Sequence, residues 1–491
     1  MPFSKADISS ILNWLRSVRA NNVDRVYGKM DISKATGKKA MIALIASLAW
    51  PTILEQFLQT IVVYADTAMV GMLGKEASAA VGLITPVTWL TNAPAFSLGI
   101  GVMAFIARKN GAKDFKDVKT AAVQGIYLAF MVGAVISAFM MIASPFLPYW
   151  MGGEGVVAKG ASAYLLITGA GFIFRSLDMV IGCMIRGTGD TRTPMIVNLL
   201  MNIVNIVGNF IFIYPTRMIS VLGVSFKVFG CGYGVAGAAL GTSVSAVFGG
   251  VVMMIVLWRN KILSPHGESK RINGNIMYQC VRVGLPLAFQ RIVVFTGYVV
   301  FTSEVAALGT VLLAAHSIAI TAEEMVYIPG FGMQEAGSAL IGNAMGYGDE
   351  KKMDKLSRML IIITALIMTV TGALLFAFPG QLMSIFTKDA EVIKNGIVVL
   401  RMVAVSEPIY GALIMMEGIF NGVGNTKTTF LVGVCTMWIV RVFMAYICIH
   451  VWHLGLVAVW SCMIAENVTK ALILGILYLR GVWKKGAVKY S

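Results

Sequence analysis

Three polar side chains interrupt the first long apolar stretch of the chain: Glu55, Gln59 and Asp66. Their steps of +4 and +7 total +11. At about 100° per residue, that is roughly 20° past three full helical turns, so all three lie along one stripe. Farther on, Asn198, Asn202, Asn205 and Asn209 step by +4, +3 and +4, again totalling +11. Together the two stripes read as a polar wall in the first half of the chain. An ionisable group in such apolar surroundings is costly and is a functional candidate by default. A desolvated carboxylate without a partner is expensive, so Asp66 suits alternation between a protonated and a cation-bound form. Asn198 and Asn202 also read as interhelical glue, worth about 0.6–2 kcal/mol per hydrogen bond. Glu55, three turns from Asp66, reads either as a second acid on an ion path or as an interfacial residue.

The elements that must hold these groups follow from composition. The 491 residues are 57% hydrophobic and 13% charged, about half the usual charge of a soluble domain, and mean hydropathy is +0.78. Apolar residues come in blocks of about twenty, the length that spans a bilayer core. Twelve such blocks predict an all-α polytopic membrane protein. Net charge is +16, with the basic residues between the blocks, where they set orientation rather than bind nucleic acid. Lys and Arg outside the spans divide 28 to 6 between the two sides, which places both termini in the cytoplasm of a cell-membrane protein. Residues 1–40 read as a basic cytoplasmic tail without a cleavable signal peptide. Within it Ile8, Ile11, Leu12, Leu15 and Val18, beside Trp14, Arg16 and Arg19, fit a surface-lying helix or a frayed tail. The six cysteines lack C-x-x-C spacing and read as small core residues.

The chain is a duplicated half. Shifted by 235 positions, Pro51 meets Pro286, Gly111 and Asp114 meet Gly346 and Asp349, and Gly187-Thr-Gly-Asp-Thr191 meets Gly422-Val-Gly-Asn-Thr426. This gives a six-helix lobe over 41–258, a cytoplasmic linker over 259–276, a second lobe over 277–480 and a tail over 481–491. Paired halves of this kind suit alternating access. At the same offset Glu55, Gln59 and Asp66 become Gln290, Val294 and Phe301, and the four asparagines become Gly433, Met437, Val440 and Met444. Glue required by the fold would recur in both halves, so the asymmetry favours one ion site in the N-terminal lobe. In the other lobe Glu466 and Lys470 are spaced to pair, with Arg441 able to join them; Arg175 and Asp178 are spaced likewise in the first. Glu335 and Glu407 have no such base and are weaker candidates for cavity or substrate contacts. His316 reads as packed or hydrogen-bonded inside the eighth span.

The ordered set Pro51, Tyr64-Ala-Asp66-Thr-Ala-Met-Val-Gly71, the two Gly-x-Gly turns, Gly234-Val-Ala-Gly-Ala-Ala-Leu-Gly-Thr242 and Val459-Trp-Ser, ending near Trp483, resembles the multidrug and toxic compound extrusion family, in its DinF-like branch. The resemblance covers about residues 41–485. It implies a V-shaped pair of six-helix lobes around a central cavity. It also implies a secondary antiporter that exports cationic organic compounds against H⁺ or Na⁺, with no further cofactor. By its pattern the cation site takes Asp66, Asn205, Asn209 and Thr242. Asn209 departs from the acid common at that position, so Asp66 is left as the main titrating group. Glu55, Gln59, Asn198, Asn202, Glu335 and Glu407 are accessory candidates. The expected partners are small organic substrates and membrane lipids, with the chain a monomer. A lipid-linked sugar flippase shares the plan of two halves, but would need a basic cavity where these spans are rich in acids. An intramembrane enzyme would need a clustered nucleophile, base or metal triad. No P-loop is present, and Gly232-Tyr-Gly-Val-Ala-Gly237 opens a span rather than a βαβ unit.

Overall fold

A computed structural model describes residues 32, 37–221, 224–269 and 271–485. The amphipathic segment from Ile8 to Val18 lies outside the described residues. Among them, twelve helices are long and apolar enough to cross a membrane: α1 Lys38–Gly71, α2 Lys75–Gly111, α3 Phe115–Ala143, α4 Gly155–Gly187, α5 Arg192–Phe212, α6 Gly234–Arg259, α7 Gly274–Ala306, α8 Thr310–Tyr347, α9 Glu350–Ala377, α10 Ala390–Gly422, α11 Thr426–Val451 and α12 Leu456–Leu479. The chain is an all-α multi-pass membrane protein.

The repeat is visible in how helices begin. Asp114 caps α3 by accepting from the Asp117 amide at 3.3 Å, and its repeat mate Asp349 caps α9 by accepting from Lys352 at 3.0 Å. Each cap satisfies one of the backbone donors orphaned at a helix start. Asp190 caps α5 through the amides of Arg192 and Thr193, while its mate Asn425 accepts from the Thr428 hydroxyl at 2.8 Å. Both turns need glycine, because Gly189 and Gly424 sit at φ +89° and +82°, where a Cβ is strained.

One element departs from the all-helical expectation. The connection from α5 to α6 carries an antiparallel hairpin, β1 Pro215–Val221 with β2 Val224–Cys231, with Met218 opposite Lys227 and a bulge between Pro215 and Arg217. Its β-branched and aromatic residues favour a pleated strand over a short loop. Arg217 anchors it, the guanidinium lying 4.0 Å from the Tyr214 ring and 4.4 Å from the Phe210 ring.

The helices form two compact units, cut differently from the sequence halves. The first comprises Phe57–Ile106 and Asp114–Val281. In it α4 packs against α3 and α6, and α5 against α6. The second comprises Ile32–Gln56, Ala107–Lys113 and the chain from Arg282 onward. There α10 packs against α8, α9 and α12. The ends of α1 and α2 belong to this unit because their backbones approach α8 closely. A Cβ on Gly332 would lie 2.6 Å from Ile53 Cα, and one on Gly111 would lie 2.0 Å from the Asn343 carbonyl oxygen. The Thr52 hydroxyl donates to the Gly332 carbonyl at 2.8 Å, and Asn110 to the Asn343 side chain at 2.7 Å. The six cysteines are free thiols; Cys183, Cys280, Cys448 and Cys462 are buried, while Cys435 is exposed.

Candidate functional site

Within the first unit, α1, α4, α5 and α6 bring one cluster of polar groups together. Asn209 lies at its centre and is fully buried. Its amide nitrogen donates to Asp66 Oδ1 at 2.5 Å and to Asn205 Oδ1 at 3.2 Å. Asn205 in turn donates to the Thr242 hydroxyl at 3.5 Å, and that hydroxyl donates to the Ala238 carbonyl at 3.1 Å. Tyr164 on α4 lies beside Thr242 and Asp66. The four residues Asp66, Asn205, Asn209 and Thr242 are thus one connected chain.

The site depends on close packing. Gly241 lets α6 press against α5; a Cβ there would lie 2.1 Å from Asn209 Oδ1. That oxygen is buried without a hydrogen-bond partner, an acceptor left open beside the Asp66 carboxylate. One turn away along all three helices, Val70, Ile213 and Ala238 form an apolar plug, joined by Met69, Tyr164 and Tyr214. The Tyr214 hydroxyl locks it by donating to the Met69 carbonyl at 2.8 Å. The free acceptors are all oxygens, a donor set that suits a proton or a hard monovalent cation and not a soft metal.

Glu55 precedes Asp66 by eleven residues, about 16 Å along a helix, and it belongs to the other unit. Asn198 donates to the Pro194 carbonyl of its own helix at 3.1 Å, and the Asn202 amide nitrogen is buried without a partner. Gln59 is half-buried on the Asp66 side of α1.

In the second unit Gln56 donates to Glu335 at 2.8 Å. Glu407 is fully buried, packed at Gly372, with neither carboxylate oxygen hydrogen-bonded. Of the expected set Glu466, Lys470 and Arg441, it is Arg441 that takes Glu466. Glu466 pairs with Arg441 at 3.0 Å and Lys470 with Glu417 at 2.7 Å, since neighbouring helices offer shorter reach than the next turn of α12. Arg175 and Asp178 do pair, at 3.5 Å, and His316 accepts from the Trp460 indole at 3.1 Å. Sequence reasoning missed Tyr164, whose hydroxyl on a distant span carries no spacing signal.

The MatE family model matches this chain twice, over residues 51–211 and 286–447. The chain belongs to the MatE family. The two MatE matches begin 235 residues apart, at the offset of the internal repeat. A curated relative is the probable multidrug resistance protein NorM of Thermotoga maritima, 28% identical over 451 residues, covering 90% of this chain and 93% of that protein. The uncharacterized transporter YisQ of Bacillus subtilis is 23% identical over 446 residues, covering 89% and 94%. Among solved structures, an outward-facing multidrug resistance MATE family transporter superposes with TM-score 0.81 at 27% identity, covering 90% of this chain and 96% of that one. A MOP superfamily transporter from Pyrococcus furiosus, described by a binding pocket of reverse polarity, gives TM-score 0.80 at 26% identity, covering 91% and 96%. This MatE chain is a multi-pass membrane transporter.

Proposed function

We propose that the chain is a multidrug efflux antiporter of the cell membrane, expelling organic cations in exchange for H⁺ or Na⁺ by alternating access. Asp66 is the coupling group, with Asn205, Asn209 and Thr242 as neutral ligands and Tyr164 supporting Thr242. The observation that carries this is the hydrogen-bonded chain from Asp66 to Thr242, built around the open oxygen of Asn209. When Asp66 takes up an ion it loses its net charge. Its short bond to Asn209 weakens, and the helices joined through that bond repack. An ion can shift such an equilibrium only through its differential affinity for the two states, and the cluster supplies that difference by linking three helices through one charge. The 28-to-6 basic asymmetry puts both termini in the cytoplasm, and the ion enters from the opposite side. The test is efflux of a cationic dye from vesicles of purified protein without ATP. Efflux should quicken with an imposed Na⁺ or pH gradient. Transport that requires ATP, or that ignores both gradients, overturns the reading.

A further inference from the structure

The second unit holds, at the repeat-equivalent place, a cation of its own. In α5 the buried positions include Asn198, Met201, Asn202, Asn205 and Asn209. In α11 they include Gly433, Thr436, Met437, Arg441 and Ala445, with Val442 buried beside Arg441. The first three pairs differ by 235 and the last two by 236. The extra residue is absorbed by a π-helical segment, Thr436–Phe443, a wide turn that inserts one residue into a helix and recurs at functional sites. The shift turns Arg441 inward where Asn205 stands in the first unit, although the unbroken offset pairs Asn205 with Val440. Arg441 is 3% exposed, and its guanidinium lies 5.6 Å from the ring of Phe301, the residue at the repeat position of Asp66. It also lies 5.0 Å from the Tyr298 ring, and it is held by Glu466, whose other oxygen accepts from Thr436 at 3.1 Å.

We propose that Arg441 is a tethered surrogate for the coupling cation: its guanidinium fills the second copy of the duplicated ion site, so exchange runs through one ion site per chain. The inference rests on Asp66 being the coupling group of the first copy. In the first unit a carboxylate and amide oxygens await a mobile cation. In the second an aromatic face and a carboxylate already surround a fixed one, a desolvated cation–π and ion-pair setting. Glu466 therefore never needs a solution ion. The charged and titratable groups around this pair are Tyr298 on α7, His316 and Glu323 on α8, Tyr410 and Glu417 on α10 and Lys470 on α12; Lys470 is already paired with Glu417.

The test silences the first site in every variant. Full-length chain carrying Asp66→Asn is purified, and its melting temperature is read in sodium against potassium chloride and from neutral to mildly acidic pH. Asp66→Asn alone, and with Arg441→Lys, should show no stabilisation by either ion. Asp66→Asn with Arg441→Met frees Glu466, and should gain stabilisation by Na⁺ or H⁺ that grows with ion concentration, as binding to the folded state requires. Adding Glu466→Gln should abolish that gain. A folded Arg441→Met variant indifferent to both ions overturns the proposal. So does a gain that survives Glu466→Gln, which would come from Glu323, Glu407 or Glu417. If the Arg441→Met variant assembles only in sodium or in acid, that dependence is the same gain; assembly in neither overturns it. An ion response already present in Asp66→Asn alone counts against the Asp66 reading, and the Arg441 reading is then judged on the added response.

Discussion

Asp66→Asn should uncouple the transporter while leaving it folded. Asn keeps the size of the side chain, and its carbonyl can still accept from Asn209, now at 2.5 Å from Asp66 Oδ1. The exchange is of a charge-assisted hydrogen bond, worth about 1.5–3 kcal/mol, for a neutral one worth about 0.5–1.5. The cost is therefore about 1 kcal/mol, small beside a stability on the order of 5–15 kcal/mol. The effect on transport is far larger. One acid per cluster carries one charge per cycle, so a tenfold ion gradient supplies about 1.4 kcal/mol per exchange. For a monovalent organic cation this sustains about a tenfold concentration ratio across the membrane. With Asn at this position no charge is neutralised, and the ratio should fall to about one. The assay is the steady-state distribution of a cationic dye in vesicles under an imposed Na⁺ or pH gradient, with protein content checked by size-exclusion chromatography before reconstitution. A variant that still holds near a tenfold ratio, with unchanged ion dependence, refutes the assignment and makes Glu335 and Glu407 the next acids to test.

Gly241→Ala would drive a methyl to 2.1 Å from Asn209 Oδ1; such overpacking costs about 1–3 kcal/mol, and gradient-driven efflux should be lost with expression retained. Wild-type efflux from that variant would show that the α5–α6 approach is irrelevant to the site. Tyr164→Phe removes the hydroxyl beside Thr242; a polar contact of about 1 kcal/mol lost there should weaken ion affinity measured by titration about fivefold, and an unchanged affinity would remove Tyr164 from the site. For orientation, Thr216→Cys in the hairpin and Ser269→Cys in the linker between the halves, each in a cysteine-free background, should label from outside and inside respectively with an impermeant thiol reagent. Labelling of position 269 but not 216 in intact cells would invert the topology.

The helices were legible because each has to be apolar over its whole length, and that demand is met residue by residue along the chain. The spacing of Asp66, Asn205 and Asn209 was legible for a related reason, since a helix converts sequence spacing into a shared face. Glu55, Gln59, Asn198 and Asn202 share those faces too, and spacing alone does not say which of them meet, because a face runs the length of a helix. Glu466 shows where spacing stops: Lys470 on its own helix and Arg441 on the neighbouring span were both open to it, and packing gives it to Arg441, 25 positions away on α11.

Chain composition, the 235-residue repeat and the polar interruptions by themselves determined that this is a twelve-helix membrane protein made of two related halves, with the Asp66 and asparagine stripes in only one of them. Those properties depend on how much apolar length each segment carries and on what a straight helix does with spacing. Tertiary structure decided which polar groups meet. Asn209 became the centre because Gly241 lets α6 come close enough to enclose it, and Tyr164 joined from α4, which no local pattern links to α5. It also decided the fate of the second site. An unbroken repeat pairs Asn205 with Val440, but the π-turn of α11 adds one residue, and about 100° of rotation, so that Arg441 faces the Phe301 ring instead. A register change inside a helix leaves the residue order untouched; only packing against α7 and α12 determines which turn takes it up.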